Sequence, residues 1–321
     1  MTATSRTLTL LRWGFVLFLA IVLGLIMRDG LVQDWSMLER VNGWWLLPAV
    51  GFAVLDVAID FLVWWILLRE VYPQAKPVAS LTPFLAGFAV DLLPAKVGTF
   101  SRAWFLRILW DIPMRLGVAV QSNAALIDLL AATLIAILGL GSLGLWKTAG
   151  LIGLLVSIAC GVVFAVIFYP HLQGWVQRVI RPFVPAEMAF GIHELQESIK
   201  NLLQLRLVLP LALVKGISWL AMGLVLYAIA QCFHQPLSVT EALFVVAGSA
   251  LLGLFSMVPN GLGITEASLV GFLTYLDLPL DTAILSAFLF RIFTMWAWLL
   301  IGNLAGQRMA RLVDIQKQIL D

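Results

Sequence analysis

The sequence predicts an all-α, polytopic membrane protein with inverted repeats, about six full spans and two re-entrant helical hairpins. Of the 321 residues, 62% are hydrophobic and only 12% are charged, and the mean hydropathy is +1.00. In a soluble domain about a quarter of the residues are charged. Apolar runs of span length recur along the chain, and two shorter segments resemble interrupted versions of one membrane element.

Six apolar runs are long enough to cross a bilayer, which takes about 20 apolar residues. They are residues 10–27, 44–68, 116–138, 149–169, 208–232 and 282–305. Four shorter runs form two pairs, 81–93 with 100–110 and 242–258 with 268–276. We interpret each pair as a re-entrant hairpin, because two complete spans broken at the middle would leave each half short.

These runs divide the chain into parts of one transmembrane domain, residues 1–321. A first repeat is expected at about 44–139 and a second at about 208–305. Residues 171–206 form a connector with an amphipathic pattern, read either as a helix on the cytoplasmic surface or as a solvated connector helix.

Each interrupted segment has a proline, a glycine four residues later, and charged side chains inside apolar sequence. The first contains Asp91, Pro94, Lys96, Gly98 and Arg102. The second contains Pro259, Asn260, Gly261, Gly263 and Glu266. Proline ends a helix, and glycine permits backbone conformations that other residues resist. Paired interruptions in two halves of a membrane protein indicate a substrate site, which favours a transporter over an anchor.

Charge placement predicts the orientation. With a cytoplasmic N-terminus and both hairpins re-entrant, thirteen of the 20 Lys and Arg residues lie on the cytoplasmic side. Only Arg28, Arg40 and Lys147 lie outside, and four basic residues lie within the membrane. This asymmetry follows the positive-inside rule. We therefore expect a multi-pass protein of the cytoplasmic membrane with both termini in the cytoplasm, and breaks that open to opposite faces.

Ionisable residues inside the apolar runs are the candidates for function, since each costs about 2.5–3.5 kcal/mol at a helix centre. They are Asp56, Asp60, Asp91, Lys96, Arg102, Asp128, Lys215, Glu266 and Arg291. Structural salt bridging is the alternative explanation for any one of them. The explanation weakens near the two breaks, where charges coincide with interrupted helices.

For four of these residues the sequence supports a specific expectation. Asp56 and Asp60 share a helix face and repel unless one is protonated or a cation lies between them. They therefore suggest proton or cation coupling, or else simply meet a polar cavity. Lys215 lies two turns into its span and is expected to snorkel to the interface. Arg291 lies near the midplane and needs a carboxylate or phosphate partner.

A restarted helix exposes N–H groups suited to anions. With Lys96, Arg102 and Arg291 nearby, the natural ligand is a phosphate-sized anion. Asp91, Asp128 and Glu266 would hold these cations in place or contact a cationic head group. No metal-ligand spacing and no nucleotide-binding glycine loop occurs in the sequence, so we predict neither a metal nor a cofactor.

The same residues resemble the flippase-like membrane domain of the lysylphosphatidylglycerol synthase superfamily. The second-half pattern Pro-x-Gly-x-Gly-x-x-Glu is intact from Pro259 to Glu266, with Arg291 as the later arginine. In the first half Asp91, Lys96 and Thr99 replace the usual Asn, Arg and Glu. Asp128 remains of an Arg-x-x-Asp element that has Ala125 in place of its arginine. The resemblance implies an inverted-repeat fold that translocates a lipid. Synthase members of the family also carry a soluble domain that makes the aminoacylated lipid, and we expect no such domain here because the layout leaves no room for one.

These observations favour a transporter that moves a phospholipid or polyprenyl-phosphate-type lipid between leaflets. The expected partner is a lipid with an anionic or phosphate-containing head group, and not nucleic acid. Two alternatives remain: an accessory subunit of a lipid-modifying enzyme, and a membrane-embedded lipid-phosphate transferase. A homo-oligomer is a further alternative, although the spacing of Gly302 and Gly306 favours packing within one chain.

Overall fold

The computed structural model describes residues 41–90, 101–147, 150, 153–154, 157–158, 192–256 and 258–320. Throughout this part of the chain the regular structure is helical. The helices before residue 150 are α1 (Leu46–Val71), α2 (Pro77–Gly87), α3 (Ser101–Trp110) and α4 (Met114–Ser142). Those after residue 191 are α5 (Ile192–Leu202), α6 (Leu205–Cys232), α7 (Val239–Phe255), α8 (Ile264–Tyr275), α9 (Leu280–Arg291) and α10 (Ala297–Leu320).

Four helical segments among these are long and apolar enough to span a membrane. They are Gly43–Val71, Met114–Ser142, Leu205–Cys232 and Leu280–Met309. The predicted runs 44–68, 116–138, 208–232 and 282–305 are thereby confirmed as membrane-length helices. The run 10–27 lies outside the described residues and 149–169 almost entirely so, and a count of six spans stays a prediction.

The two halves of the chain present their elements in the same order. A long helix is followed by a shorter apolar one, Pro77–Val90 in the first half and Val239–Phe255 in the second. A short helix and a second long helical segment then follow in each half. The helices Pro77–Val90 and Val239–Phe255 are both shorter than the four span-length segments, as the broken runs 81–93 and 242–258 predict.

Packing between the halves is reciprocal. Helix α2 packs on α10, α7 packs on α4, and α1 lies along α6. Glycine permits both of the first two contacts. A Cβ on Gly302 would lie 2.6 Å from the Ala89 nitrogen, and one on Gly139 would lie 2.9 Å from Phe244 Cα. Small residues at such crossings are typical of membrane bundles, in which close van der Waals packing stabilises helix pairs.

The connector helix α5 is amphipathic, and its apolar side packs on protein. Leu202 is buried, Leu195 and Ile199 pack against the same apolar cluster, and the helix contacts α4. On its polar side Glu194 forms an ion pair with Arg115. Residues 171–191 of the predicted connector lie outside the described residues.

Two apolar clusters surround the middle of the bundle. One is centred on Trp64, Leu67 and Phe84 from the first half, and the other on Leu226, Ile229 and Leu269 from the second. Val57 of the first cluster and Phe290 of the second line the same cavity. The polar site described next therefore lies where the two clusters meet.

Candidate functional site

A cavity of about 380 Å³ lies within the helix bundle. Its polar lining consists of Asp56 and Asp60 from α1, Asp128 from α4, Lys215 from α6, Asn260 and Gly261 from the break, Thr265 from α8, Arg291 from α9 and Thr294 from the turn that follows it. Aromatic and aliphatic side chains form the rest of the wall, among them Phe88, Trp219 and Trp298. Long apolar helices thus surround a cavity that holds a group of charged side chains, and charges among membrane helices mark functional sites or buried pairs.

Lys215 is the centre of one polar group in this cavity. Its ammonium forms a short ion pair with Asp60, lies 3.1 Å from Asp128 Oδ1, and donates a hydrogen bond of 3.2 Å to Ser218 Oγ. An ammonium has three N–H donors, and these three partners match that number. The lysine side chain is only 9% exposed, whereas Asp60 and Asp128 are 32% and 35% exposed.

The neighbouring side chains of α6 hold the other carboxylates. Ser218 donates its hydroxyl hydrogen to Asp56, and Trp219 Nε1 donates to Asp128 Oδ1 over 3.0 Å. Three carboxylates on two helices therefore converge on one face of α6, with one ammonium among them. We call Asp56, Asp60, Asp128 and Lys215 the lysine cluster.

Arg291 is the centre of the second polar group. Its Nε donates to Glu266 Oε1 over 2.6 Å, and its Nη2 donates to the carbonyl oxygen of Asn260 over 3.1 Å. The other carboxylate oxygen, Glu266 Oε2, accepts from the backbone N–H of Gly263 over 2.7 Å. The Glu266 carboxylate thus caps the start of α8 and pairs with Arg291 at the end of α9. Arg291 also binds the backbone of the break, at the Asn260 carbonyl. We call Glu266 and Arg291 the arginine pair.

The backbone between α7 and α8 turns through left-handed conformations. Asn260, Gly261 and Gly263 have φ values of 47°, 65° and 81°. Gly261 also passes close to Gly253 of α7, so that a Cβ on it would lie 3.0 Å from Gly253 Cα. Glycine tolerates both conditions. The predicted break at Pro259 is therefore confirmed as a short 3₁₀ turn, Pro259–Gly261, that leads into a new helix.

A π-helical turn, Ile292–Trp296, directly follows Arg291. It contributes Thr294 and Met295 to the cavity wall. Such turns are rare and occur frequently at functional sites. Here the wider turn lies in the same span as the buried arginine.

The structure brings most of the predicted site residues to one place. Asp56, Asp60, Asp128, Asn260, Gly261 and Arg291 line the cavity, and Glu266 and Gly263 join it through the arginine pair. The carboxylate partner expected for Arg291 is thereby identified as Glu266. Asp91, Pro94, Lys96 and Gly98 lie outside the described residues, and their part in the site stays a prediction.

Arg102 lies beside the cavity and does not line it. Its Nε donates to the carbonyl oxygen of Phe84 over 3.1 Å, and its guanidinium lies 4.2 Å and 5.0 Å from the ring centroids of Phe84 and Phe88. The side chain also packs across Gly87, where a Cβ would meet its Nε at 2.5 Å. Phe88, which the arginine contacts, is itself part of the cavity wall.

Lys215 is the site residue for which the sequence-based expectation was wrong. The residue is 7% exposed and pairs with α1 and α4, and so it does not snorkel to the interface. A partial signal was present in the sequence: Asp56 and Asp60 on one helix face repel unless one is protonated or a cation lies between them. The ammonium of Lys215 pairs with Asp60, and Ser218 connects it to Asp56. Among the residues described, no group of three or more His, Cys, Asp or Glu side chains is arranged to hold a metal ion.

Comparison with known proteins agrees with this architecture. The family described as the lysylphosphatidylglycerol synthase TM region matches residues 12–302. A relative from Methanothermobacter thermautotrophicus, named a UPF0104 membrane protein, is 22% identical over 311 residues, covering 88% of this chain and 89% of the relative. The matched region includes every residue that lines the cavity. The chain therefore belongs to the lysylphosphatidylglycerol synthase transmembrane-region family.

Proposed function

We propose that this protein moves a phospholipid or a polyprenyl-phosphate-type lipid between the leaflets of the cytoplasmic membrane. The observation that carries the proposal is the polar cavity among membrane-length helices, with Arg291 and Lys215 in its wall. A lipid head group crosses a bilayer slowly because it must leave water. A chamber of this kind offers it polar partners while the acyl chains stay in the lipid.

Recognition of the head group rests on the arginine pair. The described contacts of Arg291 use two of its five N–H donors, and a guanidinium binds phosphate oxygens in a bidentate manner. Thr265, in the first turn of α8, lies in the same wall, where the helix start favours negative charge. A phosphate placed there would contact Arg291 first.

The alternating exposure needed for transport is proposed to come from inverted repeats. The repeated order of helices and the reciprocal packing of α2 on α10 and α7 on α4 support this arrangement. By this proposal residues 91–100 form a break equivalent to 256–263 that opens to the opposite face, and both pairs of short helices are re-entrant. The positive-inside distribution supports cytoplasmic termini.

Reconstitution into liposomes tests the proposal. A fluorescent phospholipid is distributed over both leaflets, and an impermeant reductant then bleaches the outer label. Protein-free vesicles should keep the inner label, and vesicles with the protein should lose nearly all of it. No gain in bleached label with any anionic or zwitterionic phospholipid would overturn the proposal.

Substitutions in the arginine pair test whether lipid exchange depends on the candidate site. Arg291→Ala and Glu266→Ala are expected to reduce exchange strongly. Asp277→Asn, an exposed acid between α8 and α9, is the matched control and should leave exchange unchanged. If exchange is absent while the wild type forms a new lipid product from a labelled donor, the transferase alternative holds. If the intramembrane charges can be neutralised without effect on a partner enzyme's activity, the accessory-subunit alternative holds.

A further inference from the structure

The lysine cluster contains three carboxyl groups and one ammonium. Asp56, Asp60 and Asp128 face one ammonium, that of Lys215. The arginine pair holds two further charges, and in it Glu266 pairs with Arg291. The other described charges on α1, on α6 and on the helices that pack against either do not line the cavity: Arg69 and Glu70 on α1, Arg115 on α4, Arg206 on α6, Glu241 on α7 and Asp281 on α9. Carboxylates among apolar helices are costly to keep ionised. Three ionised carboxylates at this place would also repel a phosphate.

The ammonium of Lys215 is fully committed to its neighbours. Asp60, Asp128 and Ser218 account for its three N–H donors. A phosphate head group can therefore bind the Lys215 ammonium only if one of these three partners gives up its hydrogen bond. Arg291 differs, because its described contacts leave three N–H groups unused.

Asp60 is the partner whose release costs least. Asp128 also accepts a hydrogen bond from Trp219, and Asp56 accepts one from Ser218. The described polar contact of Asp60 is with Lys215 alone, and its side chain is 32% exposed to the cavity. If a proton neutralises Asp60, its attraction for the ammonium falls, and no other described hydrogen bond has to break.

We propose that Asp60 takes up a proton when a phosphate head group binds, and that this proton uptake transfers Lys215 from Asp60 to the phosphate. The inference rests on the proposed function and names the proton as the ion whose binding is coupled to lipid binding. Water supplies the proton, which binds a carboxylate oxygen of Asp60. Lys215 remains an ammonium and exchanges one oxygen partner for another. By linkage, a proton then strengthens head-group binding as much as the head group strengthens proton binding.

Titration calorimetry of the full chain in detergent tests this. The probe is a short-chain phosphatidylglycerol, whose phosphodiester does not titrate near neutral pH. Measurement in buffers of different ionisation enthalpy gives the protons taken up per lipid bound. We expect about one proton, and an affinity that falls about tenfold per unit rise in pH while Asp60 loses its proton. Binding without proton uptake, or with a dependence on Na⁺ in place of pH, overturns the proposal.

Asp60→Asn distinguishes coupling from a merely structural role. The amide imitates a protonated carboxyl group, and the variant should bind at high pH as tightly as the wild type binds at low pH. Its proton uptake should fall towards zero, whereas Asp277→Asn should behave as the wild type does. Weaker binding by Asp60→Asn at every pH would contradict the proposal. If the variant does not fold, the proton uptake measured with the wild type decides whether lipid binding is coupled to a proton.

The same measurements separate this inference from the proposed function. Lipid exchange at a rate independent of pH, with no proton uptake, would leave lipid transport standing and refute coupling through Asp60. Absence of both binding and exchange at every pH would refute the two together.

Discussion

The ion pair between Glu266 and Arg291 should be measurable as a coupling energy. Glu266→Gln keeps an acceptor for the Gly263 N–H and removes the charge that faces Arg291. Arg291→Met removes the guanidinium, including its hydrogen bond to the Asn260 carbonyl. The two single variants and the double variant form a double-mutant cycle, which isolates the pair from its surroundings.

The structure sets the expected magnitude. Removing one partner of a buried ion pair costs about 3–5 kcal/mol. Arg291 is 9% exposed, but Glu266 is 30% exposed to the cavity, where water compensates part of the loss. We therefore expect each single change to lower the free energy of unfolding by about 2–3 kcal/mol. The double variant should lose about 3–3.5 kcal/mol, which leaves a coupling energy of about 1–2.5 kcal/mol.

Reversible unfolding by SDS in mixed micelles, followed by tryptophan fluorescence, measures these quantities. Asp277→Asn is the control: the residue is exposed and has a φ of 64°, which asparagine tolerates. It should change stability by less than about 0.5 kcal/mol. If the two single effects add to the double effect within about 0.5 kcal/mol, the pair does not stabilise the break and the reasoning is refuted.

Three further changes and one control are measured by the same unfolding assay. Gly302→Ala should destabilise by about 1–3 kcal/mol, because its Cβ would lie 2.6 Å from the backbone nitrogen of Ala89 and 2.8 Å from the carbonyl oxygen of Leu85 in α2. Gly306→Ala on the same helix is the control: its Cβ meets open space, and the change should stabilise by about 0.5–1 kcal/mol. Gly261→Ala should cost about 1–3 kcal/mol because its φ is 65°, and an unchanged midpoint would argue against the strained break. Ser238→Ala removes the hydroxyl that accepts from Glu241 N at the start of α7, and should cost about 1 kcal/mol and speed amide exchange in that first turn.

The sequence was sufficient for the helical fold because hydrophobicity along a membrane chain maps directly onto spans. The run 208–232 differs from helix Leu205–Cys232 by three residues at one end, and the break at Pro259 lies where proline and glycine predict it. The relation between the halves was less accessible. Contacts such as α2 on α10 join residues more than two hundred positions apart, and local patterns do not encode them.

The arginine pair was predictable in part, and the lysine cluster was not. Arg291 near a midplane requires a partner, and Glu266 is the acid that its break places nearby. Lys215 was misread because its depth in the span was judged from the nearer helix end alone. Only the packing of α6 on α1 and α4 shows that Asp60 and Asp128 reach its ammonium.

Arg102 has contacts that reasoning from charge did not suggest. We expect it in the head-group site with Lys96, and in the structure its guanidinium also lies on the rings of Phe84 and Phe88. Cation–π contacts of this kind stabilise a guanidinium. Aromatic residues in a broken span such as 81–93 are therefore among the partners to consider for a buried arginine.

Blocking the cavity tests the central claim most directly. Ala250 of α7 lines the cavity, whereas Leu252 on the same helix is 46% exposed and does not. Lipid exchange in liposomes should fall to the protein-free rate with Ala250→Trp and stay at the wild-type rate with Leu252→Trp. If a folded Ala250→Trp protein exchanges lipid as fast as the wild type, head groups do not pass through this cavity.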